Sequence, residues 1–141
     1  MEIYHNQTAK PVRQFAMDIG QAARKRGFIL HNVETMEMAV TFGRHGIQVA
    51  DNFDLHMMHI CKPGKAAHSL TKNPERAVLM PKFIMAFSRD SATQIRFLHY
   101  RPETVASLLE DAEFPDSLAA GIDEIIAIIE EAAQTPQSIE T

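Results

Sequence analysis

The 141-residue chain has no tryptophan and a single cysteine, Cys61. One cysteine cannot close an internal disulfide, so the fold rests on its core and its hydrogen bonds. No apolar run approaches the ~18 residues that suggest a membrane-crossing helix, and no membrane partner is expected. An excess of basic residues is also missing. Against 14 Lys and Arg stand 18 Asp and Glu, a net charge of -4. General nucleic-acid binders are basic, so no nucleic acid is expected as a partner. The first residues, Met1-Glu2-Ile3-Tyr4-His5, lack the basic and apolar regions of a secretory leader. With a lone thiol, this makes a cytoplasmic location the expectation. There is no glycine-rich nucleotide fingerprint and no Ser-His-Asp order, so no residue is assigned a catalytic role.

What is present is an ordinary globular composition, 45% hydrophobic and 23% charged, which excludes disorder over most of the chain. The length fits one domain. We expect it over residues 1–134, with a flexible C-terminal tail at 135–141. The 8 Met and 7 His are unusual. Both residue types ligate soft metals and haem iron, although Met more commonly fills irregular cores.

Periodicity orders the chain as β-α-β-α-β-α-β-β-α-α. A first strand covers residues 2–5. Val12, Phe15, Ala16, Ile19, Ala22 and Ala23 recur at helical spacing. Arg24, Lys25 and Arg26 suit that helix's C-terminus, with Gly27 as its cap. A strand follows at 28–33, then a weaker helix at 35–44. Residues 53–61 read as a central strand broken by Pro63 and Gly64, and a helix occupies 66–70. Two strands, 82–88 and 93–100, are close enough to form a hairpin. Pro102 opens a short helix. A final helix, capped by Asp116 or Ser117, carries Leu118, Ile122, Ile125, Ile126 and Ile129 on one stripe. Such an order predicts an α+β domain with helices packed on a mixed sheet.

Cys61-Lys62-Pro63, then Ala67, Leu70 and Pro74, then Met80-Pro81, form a series that resembles the domain-of-unknown-function 302 family, with its TT1751-like fold. In that family a strand ends in Cys-Asn-Pro, a helix follows, and Leu-Pro-Cys leads into a strand hairpin. This chain departs twice: Lys62 stands where the family has Asn, and Lys82 stands where it has a second Cys. The resemblance covers residues 2–132. It implies a compact α+β domain, commonly a homodimer, with no established activity.

The residues themselves offer three chemistries. The turn Cys61-Lys62-Pro63-Gly64-Lys65 joins a strand to a helix start, where free N–H groups and partial positive charge favour an anion. Lys62 and Lys65 add full charges, and Gly64 permits close backbone approach. Cys61, Lys62, Gly64 and Lys65 are therefore the candidate ligand-binding residues of a small-molecule site, with Met57, Met58 and Met85 as adaptable walls. The same charges would favour the thiolate of Cys61, the basis of a sulfur or redox carrier. Thirdly, His59 and Cys61 share one strand face and form a candidate pair for a soft metal or for haem as cofactor. Covalent c-type haem is excluded, because Cys-x-x-Cys-His is absent. His56 faces the opposite side from His59. The acidic run Glu110, Asp111 and Glu113 reads as a solvated helix end.

Overall fold

A computed structural model describes residues 1–134 of the chain. Five strands form one sheet in the order β1-β5-β4-β3-β2: β1 Glu2–Thr8, β2 Ile29–Leu30, β3 Leu55–Cys61, β4 Lys82–Arg89 and β5 Ala92–His99. The helices are α1 Val12–Lys25, α2 Met38–Arg44, α3 Pro63–Lys72, α4 Pro102–Leu108 and α5 Phe114–Gln134, with a 3-10 turn at Pro74–Leu79. The fold is α+β with helices packed on a sheet. The tail expected at 135–141 lies outside the described residues.

Alternation decides the two faces of the sheet. Met58 and Ile60 of β3, Ile84 and Ala86 of β4, and Ile95 and Phe97 of β5 are buried on one face. They meet the apolar stripes of α1 (Phe15, Ile19, Ala23) and α5 (Ile122, Ile125, Ile129) in a single core. Gly27, at φ +81°, closes α1 in the left-handed region that favours glycine. The Phe28 N–H then donates back to the carbonyl of Ala23 at 2.9 Å.

Every strand pairing is antiparallel, where a mixed sheet was expected. Helices between strands usually signal parallel crossovers. Here α3 and the 3-10 turn leave β3 after Cys61 and re-enter at Lys82, which pairs with Ile60 at the same end of the sheet. They cap the sheet's end instead of crossing it.

Several boundaries also differ from the sequence reading, β1 running on to Thr8 and α2 starting only at Met38, and three others have a clear physical cause. Pro63 begins α3, because its missing N–H costs nothing in a first helical turn. Helix α5 begins at Phe114, before the predicted caps, since the Asp111 carboxylate accepts from the N–H groups of Glu113 (3.1 Å) and Phe114 (2.9 Å). Strand β2 has two residues instead of six. Beyond it the Asn32 side chain takes over the ladder, donating to the Met57 carbonyl at 2.9 Å and accepting from the His59 N–H at 2.8 Å.

Removing that amide leaves two backbone groups of β3 short of partners. Asn32→Ala is expected to cost about 1–2 kcal/mol in urea denaturation. Asn32→Asp should recover only part of this, because a carboxylate accepts from His59 but cannot donate to Met57. Equal stability of all three proteins would refute this role.

Candidate functional site

At the end of the sheet where β3 stops and β4 starts, a cavity of about 240 Å³ lies between α3, the N-terminal half of α5 and the strand ends. Phe28, Leu70, Phe114, Leu118 and Ile125 contribute apolar wall. The charged members of its lining are Lys62, Lys65 and Lys82, and among the described residues no Asp or Glu lines it. Cys61, His59 and His31 complete the polar side.

Each lysine is held differently. The Lys62 ammonium reaches Glu124 of α5 at 3.5 Å and sits over the Phe28 ring at 5.3 Å. Lys65 donates to the Ser117 carbonyl at 3.3 Å. It does so across the buried Gly121, where a Cβ would lie 3.5 Å from the ammonium, so the missing side chain opens room for it on α5. Lys82, half-buried, donates to the Met80 carbonyl at 2.9 Å. Among the described residues, neither Lys65 nor Lys82 has a carboxylate partner. Burial pushes the Lys82 ammonium below its ordinary pKa; the nearby charge of Lys65 acts in the same direction and Cys61 opposes it.

Of the residues singled out in the sequence, Cys61, Lys62 and Lys65 line the cavity. Gly64 does not; it is exposed in the first turn of α3, and nothing lies within 4 Å of the position its Cβ would take. The cavity follows the flank of α3, at Ala66, Ser69 and Leu70, instead of its N-terminus. Met57, Met58 and Met85 are also outside the lining, and the methionine that contributes is Met80. Met58 is fully buried in the core, while Met57 and Met85 pair with each other on the other face of the sheet.

His59 and Cys61 both line the cavity. The His59 ring is stacked between His31 at 5.2 Å and Phe83 at 4.8 Å. Its pKa is lowered, first by burial and then by His31 and Lys82. Among the described residues no three His, Cys, Asp or Glu side chains come together to hold a metal ion. His56 points to the opposite face, as alternation predicts. It is 4% exposed there, its Nδ1 has no hydrogen-bond partner, and burial lowers its pKa.

The wall behind α3 depends on residues read differently in the sequence. Asp111 is not solvated: it and Arg76 are each 6% exposed and form a buried ion pair. Arg76 donates from Nε to Asp111 Oδ2 at 2.6 Å, from Nη2 to Oδ1 at 2.9 Å and from Nη1 to the Ser69 hydroxyl at 3.0 Å. Its guanidinium also lies over the Phe114 ring at 5.2 Å. The pair thus ties α3, the 3-10 turn and the start of α5 together. Sequence reasoning passed over Arg76 and noted Lys82 only as a departure from a family pattern. A signal for Lys82 exists: it has the same strand parity as Ile84 and Ala86, the core-facing positions of β4.

The model of the family described as Domain of unknown function DUF302 matches residues 4–132. A solved structure, that of an uncharacterised conserved DUF302 protein from Bacillus stearothermophilus, is similar in fold at 13% sequence identity with a TM-score of 0.74. The match covers 95% of this chain and 99% of that one. No curated protein matches the chain.

The Arg76 guanidinium, followed by the Asn73 amide and two backbone N–H groups, holds the Asp111 carboxyl well below the usual carboxylate range. A carboxylate with a depressed folded-state pKa contributes stability above its unfolded value, ~4, and loses it as pH falls. Asp111→Asn should therefore melt well below the wild type at neutral pH, with the gap closing as pH drops from ~5 towards ~2. A gap independent of pH would show that the ionised pair is not what stabilises this wall.

Proposed function

We propose, on the premise that this chain belongs to the DUF302 family, that it is a binding domain for a small organic anion. The ligand has an apolar body and an acidic group, and it occupies the cavity beside Cys61, Lys62, Lys65 and Lys82. The observation carrying this reading is the charge imbalance of the lining: among the described residues it has three lysines and no carboxylate, and no acid pairs with Lys65 or Lys82. A cation held against apolar walls is costly, and a bound anion offsets that cost. The volume lies a little below the ~300–1,000 Å³ of common small-molecule pockets, which favours a compact ligand such as a substituted benzoate. A cytoplasmic setting, where Cys61 stays a thiol, belongs to the same reading. The haem, soft-metal and thiol-carrier alternatives draw on His59 and Cys61 in this cavity, but no further observation favours them over the anion.

4-Methylbenzoate is expected to raise the melting temperature and to bind with a Kd measurable by calorimetry. Lys65→Met should weaken it about tenfold or more, the scale of one charge-assisted hydrogen bond, and Lys82→Met, which alters the cavity wall, should weaken it by less. No binding, or binding indifferent to both variants, would overturn the proposal.

A homodimer is proposed through the sheet face turned away from α1 and α5. Ile3 and Leu98 are 56% and 46% exposed there, and Met57, Phe83, Met85 and Phe87 are only half-buried. An apolar patch of this kind marks an association surface. Light scattering after size exclusion should give two chains for the wild type and one for Met85→Glu. A monomeric wild type would contradict it.

A further inference from the structure

We infer that Lys82 is a Schiff-base nucleophile, condensing through its Nζ with a small aldehyde or ketone that also carries an acidic group. This rests on the anion-binding reading of the same cavity and adds the carbonyl chemistry of the ligand.

The chain has six lysines, and their surroundings set Lys82 apart. Lys10 pairs with Asp18 at 2.6 Å, Lys25 with Glu131 at 2.9 Å, Lys62 with Glu124 at 3.5 Å and Lys72 with Glu113 at 3.3 Å. Each of these four amines is engaged by an acid. Lys65 has no such partner, but it is exposed to water. Lys82 combines a half-buried side chain, an apolar cavity and no carboxylate partner among the described residues. Its place explains this: as the first residue of β4, opposite Ile60, it shares the core-facing side of the strand with Ile84 and Ala86.

An amine attacks a carbonyl only when neutral. Desolvation is the main device that activates lysine in this way here: burial lowers the Lys82 pKa, Cys61 opposes it, and Lys65 adds a smaller push in the same direction as burial. The other titratable groups lining the cavity are Cys61, His59, His31 and Lys62. A neutral amine has two N–H groups and one lone pair. The Met80 carbonyl accepts one N–H at 2.9 Å, which orients the nitrogen. Lys65, anchored on the Ser117 carbonyl at 3.3 Å, is placed to hold the acidic group.

The chemistry balances without an oxidant or reductant. The Nζ lone pair forms a bond to the carbonyl carbon, and the carbonyl π electrons move to oxygen, which takes a proton from water while the now cationic nitrogen gives one of its two protons back to the hydroxide. The resulting carbinolamine loses its hydroxyl as water together with the remaining nitrogen proton, leaving a C=N bond to Lys82.

The test treats the intact chain at neutral pH with substoichiometric 4-carboxybenzaldehyde, reduces with sodium borohydride and maps the adduct by peptide mass spectrometry. The expected product is a chain heavier by the aldehyde less one oxygen atom, modified at Lys82. Labelling there should be at least about tenfold faster than at exposed Lys72, reflecting the larger neutral fraction of a desolvated amine. It should be suppressed by 4-methylbenzoate, abolished in Lys82→Arg and unchanged in Lys72→Arg, with melting curves showing that both variants are folded. Labelling spread evenly over Lys25, Lys72 and Lys82 would overturn the inference. Stabilisation by 4-methylbenzoate without an adduct at Lys82 would overturn the carbonyl chemistry alone. Neither stabilisation nor adduct would overturn it together with the binding reading beneath it.

Discussion

Arg76 carries its charge out of water, at 6% exposure, and Asp111, equally buried, meets it through two hydrogen bonds. Removing either partner from such a pair leaves an uncompensated buried charge, which is why these pairs act as strong geometric constraints. The constraint here reaches three elements. Ser69 ties the guanidinium to α3, the Asp111 carboxylate receives the first N–H groups of α5, and the Phe114 ring lies under the guanidinium. The excursion from Cys61 to Lys82 would otherwise be a long connection at one end of an antiparallel sheet. Clamped this way, it becomes a wall.

The cavity behind that wall follows from where cations end up. Lys25 of α1 and Lys72 of α3 find acids at the surface. At the junction of β3, α3 and β4 the chain supplies Lys62, Lys65 and Lys82, while α5 offers the carbonyl of Ser117, the bare backbone of Gly121 and the carboxylate of Glu124. That one acid pairs with Lys62 alone and does not line the cavity. The interior of the domain is therefore apolar and electropositive in the same place, which is what an amphipathic anion requires. Cys61 and the stacked His31, His59 and Phe83 lie on the side towards β2 and β3, where they add polarisable groups without supplying negative carboxylate charge.

Much of the fold was legible from periodicity and end signals. The stripe Val12, Phe15, Ala16, Ile19, Ala22 and Ala23 is the buried face of α1, and Gly27 closes that helix. The alternation of β3 separates His56 from His59, and the hairpin of β4 and β5 falls where two apolar runs approach. The differences come from side chains that take over backbone or charge roles which periodicity does not register. The Asn32 amide replaces backbone of β2, the Asp111 carboxylate starts α5 ahead of its local caps, and Arg76 draws Asp111 out of a run that reads as solvated. Half of the site was legible too. Cys61, Lys62 and Lys65 stand out as a charged strand-to-helix turn. Lys82 lies 21 positions beyond Cys61 by number and joins them only because β4 pairs beside β3.

The sequence alone therefore determined the α+β class, the order of its elements, the faces they bury and the exclusion of an internal disulfide, since each depends on residues within a turn or two of one another or on composition. Tertiary structure decided that all strands run antiparallel, that α3 caps the sheet instead of crossing it, and that two lysines meet no acid at an apolar cavity. Strand direction depends on the end of the sheet at which a connection returns, and the state of a charge depends on which groups lie within a few ångströms. Local periodicity encodes neither quantity.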